Sequence, residues 1–150
     1  MPGEQRAVVL AGVMAAPDGW TPPQAAVLET MYPGYAALAC GDQLLEAMVE
    51  GRRIAVDIAH LSIQRFHGLL DDRVLDRVLE YTGVAEVHVS SSRDSRDVHA
   101  ELTDETWEVE WGRDRPRLGT PTILECHMHK LSHEQRIEQV AKMLGLVGVH

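Results

Sequence analysis

Four short apolar runs in this chain each end on a residue able to bind a metal. Ala26-Val27-Leu28 leads into Glu29, Ile54-Ala55-Val56 into Asp57, Val84-Ala85-Glu86-Val87 into His88, and Thr122-Ile123-Leu124 into Glu125. Runs of this kind read as buried parallel strands, and in α/β folds chemistry collects at strand C-terminal ends. Four strands delivering Glu29, Asp57, His88 and Glu125 to one rim would build an oxygen-rich site with one imidazole. Such a donor set suits a divalent Fe, Mn, Co or Zn ion better than a thiolate cage would. The bland alternative is that each is a solvated polar residue where a strand gives way to a turn.

The segments between the runs alternate with helical patterns. Arg6–Met14 is apolar enough for a strand or a short buried helix, and periodicity does not choose between them. Pro17-Asp18-Gly19 and Pro22-Pro23 mark a loop, and a strand follows at Ala25–Glu29. A turn is expected at Pro33-Gly34, then a helix over Gln43–Glu50 with Asp42 as its cap and Gly51 as its stop. The next strand is Ile54–Ile58. Asp71–Tyr81 reads as a helix, with Val74, Leu75, Val78 and Leu79 at helical spacing and Gly83 beyond it.

A strand at Ala85–Val89 then leads into a long polar segment, Ser90–Gly119, within which Thr106–Glu110 alternates like an edge strand. Pro121–Glu125 is the last strand. Ser132 with Gln135 forms a capping-box pattern that opens a helix running through Met143. Strands alternating with helices imply βαβ units and a parallel sheet. With 150 residues, four or five strands fit, which is half of an eight-stranded barrel or a small open sheet. Residues 1–24 form a lead-in and 25–150 the metal-binding domain.

A second group of candidates lies nearby. Asp57-x-x-His60 places a histidine just past a strand end, where it either joins a metal site, contacts substrate or simply starts a helix or loop. In Asp97-Val98-His99 the two outer residues share a face of an extended segment and can bind one ion together, unless the charged loop around them is merely solvated. His127 and His129 alternate with Glu125, which makes them supporting or substrate-contacting candidates, whereas His133 reads as surface. Ser90-Ser91-Ser92-Arg93 offers hydroxyls and a cation for a phosphate or carboxylate but lacks the glycine spacing of a phosphate loop.

The net charge of -9 and a single Phe disfavour nucleic acid, which is held by clustered cations and aromatic platforms. Two cysteines without a CxxC pair, Cys40 and Cys126, disfavour a disulfide framework or a structural zinc ribbon and leave Cys126 as a buried thiol. No leader pattern and no apolar run of about 20 residues appears, so the expected setting is cytoplasmic, with no membrane partner.

These motifs resemble the C-terminal half of the xylose-isomerase-like TIM-barrel superfamily, which includes sugar isomerases and epimerases, endonuclease IV and multinuclear non-haem iron-dependent oxidative enzymes. The epimerases are similar through Glu29, Asp57, His88 and Glu125 with Asp57-x-x-His60. Endonuclease IV shares these and the Asp97-x-His99 pair.

The oxidative family matches over the longest stretch, roughly residues 25 to 143. The matching features are Glu29 followed by Tyr35, the strand at Val56-Asp57-Ile58, the run into His88, Asp97-Val98-His99 with Trp107 after it, and Pro121 to Glu125. It departs at His60, where oxidative members usually carry Asn.

The resemblance implies a metal-dependent enzyme acting on a peptide or small molecule. Glu29, Asp57, His88, Asp97, His99 and Glu125 would be ligands, and Glu29, Glu125 and His60 catalytic residues. A half-length barrel further implies a homodimer, or a partner supplying the other half.

Overall fold

The computed structural model describes residues 9–10, 22–103 and 119–145. Its strands are β1 (Val9–Leu10), β2 (Val27–Glu29), β3 (Arg53–Asp57), β4 (Val84–Val89), β5 (Ser91–Arg93), β6 (Arg96–Ala100) and β7 (Thr122–Leu124). The helices are α1 (Gly41–Val49), α2 (Ile58–Phe66), α3 (Asp72–Leu79) and α4 (His133–Leu144), with a 3-10 turn at Met128–Lys130. Five strands form one sheet in the order β1-β2-β3-β4-β7, every neighbouring pair parallel, while β5 and β6 make a separate antiparallel hairpin. The architecture is thus α/β with a parallel sheet. No helix among the described residues is long and apolar enough to cross a membrane.

Several elements form where the chain's local chemistry leads one to expect them. Asp71 caps α3 by accepting the Val74 N–H at 2.8 Å, and Leu75 and Val78 are buried. Ser132 and Gln135 make both halves of the capping box, and Gly145 closes α4 in the left-handed conformation at φ 70°. Cys126 is buried and unoxidised. Within the Arg6–Met14 run, Val9 and Leu10 pair as a strand with Val27 and Leu28.

Three expectations need correction. Asp42 is not the cap of α1. The helix starts at Gly41, whose N–H donates to the Leu69 carbonyl at 2.8 Å, while Gln43 Oε1 takes the Ala39 N–H at 2.8 Å. A backbone carbonyl has replaced the side-chain cap, and Gly41 permits that approach because a Cβ there would stand 3.2 Å from the Leu69 oxygen.

Secondly, Ile58 belongs to helix rather than strand. Asp57 ends β3 and caps α2 at once, its Oδ1 accepting the His60 N–H at 3.0 Å. Thirdly, the polar segment after Val89 folds back as the β5–β6 hairpin, turning on Asp94, which sits at φ 53° as an Asp can in a tight turn. Thr106–Glu110, with Trp107, lies outside the described residues.

The register divides the sheet into two unlike faces. Leu28, Ile54, Val56, Val87 and Val89 lie among the buried apolar residues, packed with Leu44, Leu61, Leu75 and Val78 from the helices and with Met143 of α4. The alternate residues, Glu29, Ala55, Asp57, Glu86, His88 and Ile123, share the opposite face, since Glu29 pairs with Ala55, Ala55 with Glu86, Asp57 with His88, and His88 with Ile123. A register shift lies between Ile54 and Ala55: Ile54 pairs with Val84, but Ala55 pairs with Glu86, leaving Ala85 as an extra residue in β4. That bulge puts Glu86 and His88 on the same face as Asp57.

The C-terminal helix is fastened by a buried amide. Gln139 accepts the Leu102 N–H and donates to the Leu102 carbonyl at 3.3 Å. Replacing Gln139 by Leu strips the buried Leu102 N–H of its partner and leaves the carbonyl only the long bond from Lys142 Nζ at 3.5 Å, which should cost about 1–3 kcal/mol. Urea denaturation checks this, and a loss below about 0.5 kcal/mol, the scale of an ordinary surface substitution, would show the clasp to be incidental.

Candidate metal centre

The sheet's polar face gathers its donors where β2, β3, β4 and β7 end. One ligand atom each from Glu29, Asp57 and His88 lies within 4.8 Å of the others, close enough to share an ion. Glu125 closes on the same point: His88 Nδ1 stands 3.5 Å from Glu29 Oε1 and 3.4 Å from Glu125 Oε1.

Two of these atoms are buried without a hydrogen bond. Asp57 is 1% exposed, and its Oδ2 makes no hydrogen bond; neither does His88 Nδ1. Buried charges are normally paired or bound to metal. A carboxylate oxygen and an imidazole nitrogen left bare side by side therefore fit a divalent cation, and two carboxylates flank them.

The orientation of His88 is set from behind. Its Nε2 donates to Glu86 Oε1 at 2.8 Å, so Nδ1 is the nitrogen turned toward Glu29 and Glu125. A carboxylate holding the far nitrogen of a metal-binding histidine fixes its tautomer and raises its basicity. Glu86 was absent from the sequence-derived site because it reads as part of an apolar run; its separation of two from His88 on one strand was the available signal.

Thr30 was missed too. Its Oγ1 accepts the Asp57 N–H at 2.9 Å and donates to the Asp57 carbonyl at 3.2 Å, and its own carbonyl accepts from His60 Nδ1 at 2.7 Å.

His60, Asp97 and His99 form an adjoining group. A carbonyl only accepts, so His60 Nδ1 carries a proton; its Nε2 lies 3.1 Å from Asp97 Oδ2 and 3.5 Å from Asp57 Oδ2. The ring edge packs on Tyr32, centroids 4.8 Å apart. Asp97 Oδ2 is 3.5 Å from His99 Nε2, and His99 Nδ1 is 4.0 Å from Glu125 Oε2, which links the two groups.

Asp97 Oδ1 and His99 Nδ1 are again buried without hydrogen bonds. His99 sits at φ 44° inside β6, a conformation that costs a non-glycine residue about 1–3 kcal/mol. Its ring also lies 5.4 Å from that of His127, whose ring in turn meets His129. His129 and His133 are exposed and reach none of the donors, and His67 packs on Phe66.

The electrostatics follow from five carboxylates, Glu29, Asp57, Glu86, Asp97 and Glu125, set around three imidazoles. Burial raises the Asp57 pKa to about 6, against the pull of His60. Burial opposes charge on His60 and His88, but the hydrogen bond to Asp97 and the charge of Asp57 outweigh it for the first, and Glu29 and Glu86 outweigh it for the second. Both imidazoles are pushed up to about 9. The bond to His60 holds Asp97 below the usual carboxylate range.

Protons thus occupy the cluster when no metal does. The folded-state values of His60 and His88 exceed the ordinary 6.5, so their contribution to stability is complete below pH 6.5 and is lost as pH rises through about 9. Chelator-treated protein should therefore show a falling urea midpoint between pH 6.5 and 9.5. A flat or rising midpoint would contradict the charged-imidazole arrangement.

No family model, curated protein or solved structure matches this chain. The site is read from its own geometry.

Proposed function

We propose that this chain is a metal-dependent enzyme, of the multinuclear non-haem iron oxidative kind that its sequence resembles, acting on a peptide or small molecule in the cytoplasm. One observation carries the reading: bare buried donors occur in both halves of one continuous cluster, Asp57 Oδ2 with His88 Nδ1 and Asp97 Oδ1 with His99 Nδ1. Glu29, Asp57 and His88 alone come close enough to share one ion, so the second bare pair supports a neighbouring one. Glu29, Asp57, His88 and Glu125 would hold one ion, and Asp97 with His99 would hold a neighbour. Bound there, iron supplies Lewis acidity and one-electron chemistry with oxygen.

The chain's own residues have separable tasks. Glu29 and Glu125 flank His88 Nδ1 and are the carboxylates available to take up or return a proton at the reacting carbon. His60, pinned through Nδ1 to Thr30 and through Nε2 to Asp97, would orient substrate. Glu86 keeps His88 facing the centre.

A second reading, a one-metal sugar isomerase or epimerase, is favoured by the tightness of the Glu29–Asp57–His88 group alone. In that case Glu29 and Glu125 would exchange a proton at the carbon beside a carbonyl, and the metal held by Glu29, Asp57 and His88 would supply Lewis acidity. Alternatively the chain is a non-catalytic metal-binding subunit.

The barrel-like completion of the sheet belongs to the same proposal. A sheet whose polar face carries Ile123 at 43% exposure is a surface on which a second copy or a partner half would fit.

Elemental analysis of protein purified without chelator, combined with its molar mass in solution, tests these readings together. Two or more irons per chain support the oxidative enzyme; one Mn, Mg or Co supports the isomerase. Asp57→Asn keeps a capping oxygen for α2 while removing the charge. It should reduce metal content at least tenfold without loss of helical signal, as losing a direct ligand charge does in a buried site. Unchanged metal content would sink the centre, and a stable monomer would sink the completed barrel.

A further inference from the structure

A cavity of about 580 Å³ opens beside His99, within the usual range for small-molecule sites. The β5–β6 hairpin and the turn after β7 wall it, with Ser91, Arg93, His99, Glu101, His127 and Lys130 among its lining residues. Three features bear on what it takes.

Two cations, Arg93 and Lys130, come to it from different elements, against one carboxylate, Glu101, in a chain where acidic residues outnumber basic ones 23 to 14. Neither cation is ion-paired among the described residues. Ser91 is 7% exposed, and its buried Oγ has no hydrogen-bond partner. A buried hydroxyl without a partner is uncommon in a folded protein, and Ser91 belongs to the cavity wall.

We propose that this cavity binds an oxyanion, the carboxylate or phosphate end of the molecule on which the metal centre acts. Arg93 offers a planar fork matched to two oxygens and Lys130 a point charge. His99 is the shared wall: it lies 3.5 Å from Asp97 and 4.0 Å from Glu125 on the cluster side and also borders the cavity. An anion held here would set the adjoining part of the same molecule against the donors. Assigning the anion to a substrate rests on the metal-enzyme reading, whereas the anion site itself does not.

The test uses the full chain after chelator treatment, so that phosphate cannot be captured by a bound metal, titrated with inorganic phosphate and separately with acetate by calorimetry. Saturable binding is expected. Arg93→Gln and Lys130→Gln should each weaken it about fivefold or more, as removal of a charge-assisted contact does. Arg77→Gln, on α3 and outside the cavity, should leave it unchanged.

Phosphate bound at least tenfold more tightly than acetate would assign a phosphorylated ligand; comparable binding would assign a carboxylate. No saturable binding of either anion, or binding indifferent to both substitutions, overturns the site. Metal content, measured on the untreated protein, reports separately on the metal-enzyme reading.

Discussion

The arrangement depends on one buried carboxylate doing two things. Asp57 ends the central strand, and its two oxygens have different fates: Oδ1 starts α2, and Oδ2 is left bare among the donors. The first use turns the chain away from the sheet at a defined point. The second leaves a charge that burial penalises and that only a proton or a cation can relieve. Thr30 holds the backbone on both sides of this residue, so the end of β2 and the end of β3 are fixed relative to each other before any ligand enters.

The β-strands carrying the cluster were legible because buried parallel strands leave continuous apolar runs, and because polar residues at their ends stand out against them. The same contrast hid Glu86, which interrupts such a run and so reads as a tolerated exception. It hid α2 as well. Asp57 was accounted for by chemistry, so its capacity to cap a helix went unused, although Asp before an apolar stretch is an ordinary helix start. The hairpin was not legible, since Ser91, Ser92, Arg93 and Arg96 carry no strand-like alternation of apolar residues. Its pairing is fixed by the tight turn at Asp94 and by packing against α2.

The two faces of the sheet divide the labour of stability and chemistry. On one, Leu28, Ile54, Val56, Val87 and Val89 bury against helices, which provides the rigid backing a preorganised site needs. On the other, polar side chains are kept in place by fixed strands instead of by loops. Only Asp97 and His99 come from a hairpin, and they are also where the backbone is strained, at His99.

The extra residue at Ala85 shows which distances along such a chain matter. The helices and turns between strands can lengthen or shorten without moving a donor, because each strand is re-registered by its neighbours. Parity after the bulge has no such freedom: a change of one residue between Glu86 and His88 would turn the histidine away from the working face. Related chains that keep this chemistry should therefore differ widely in the intervals separating Glu29, Asp57, His88 and Glu125, yet hold the count from the kink in β4 to its histidine invariant. That short interval is a sharper signature than any of the longer spacings.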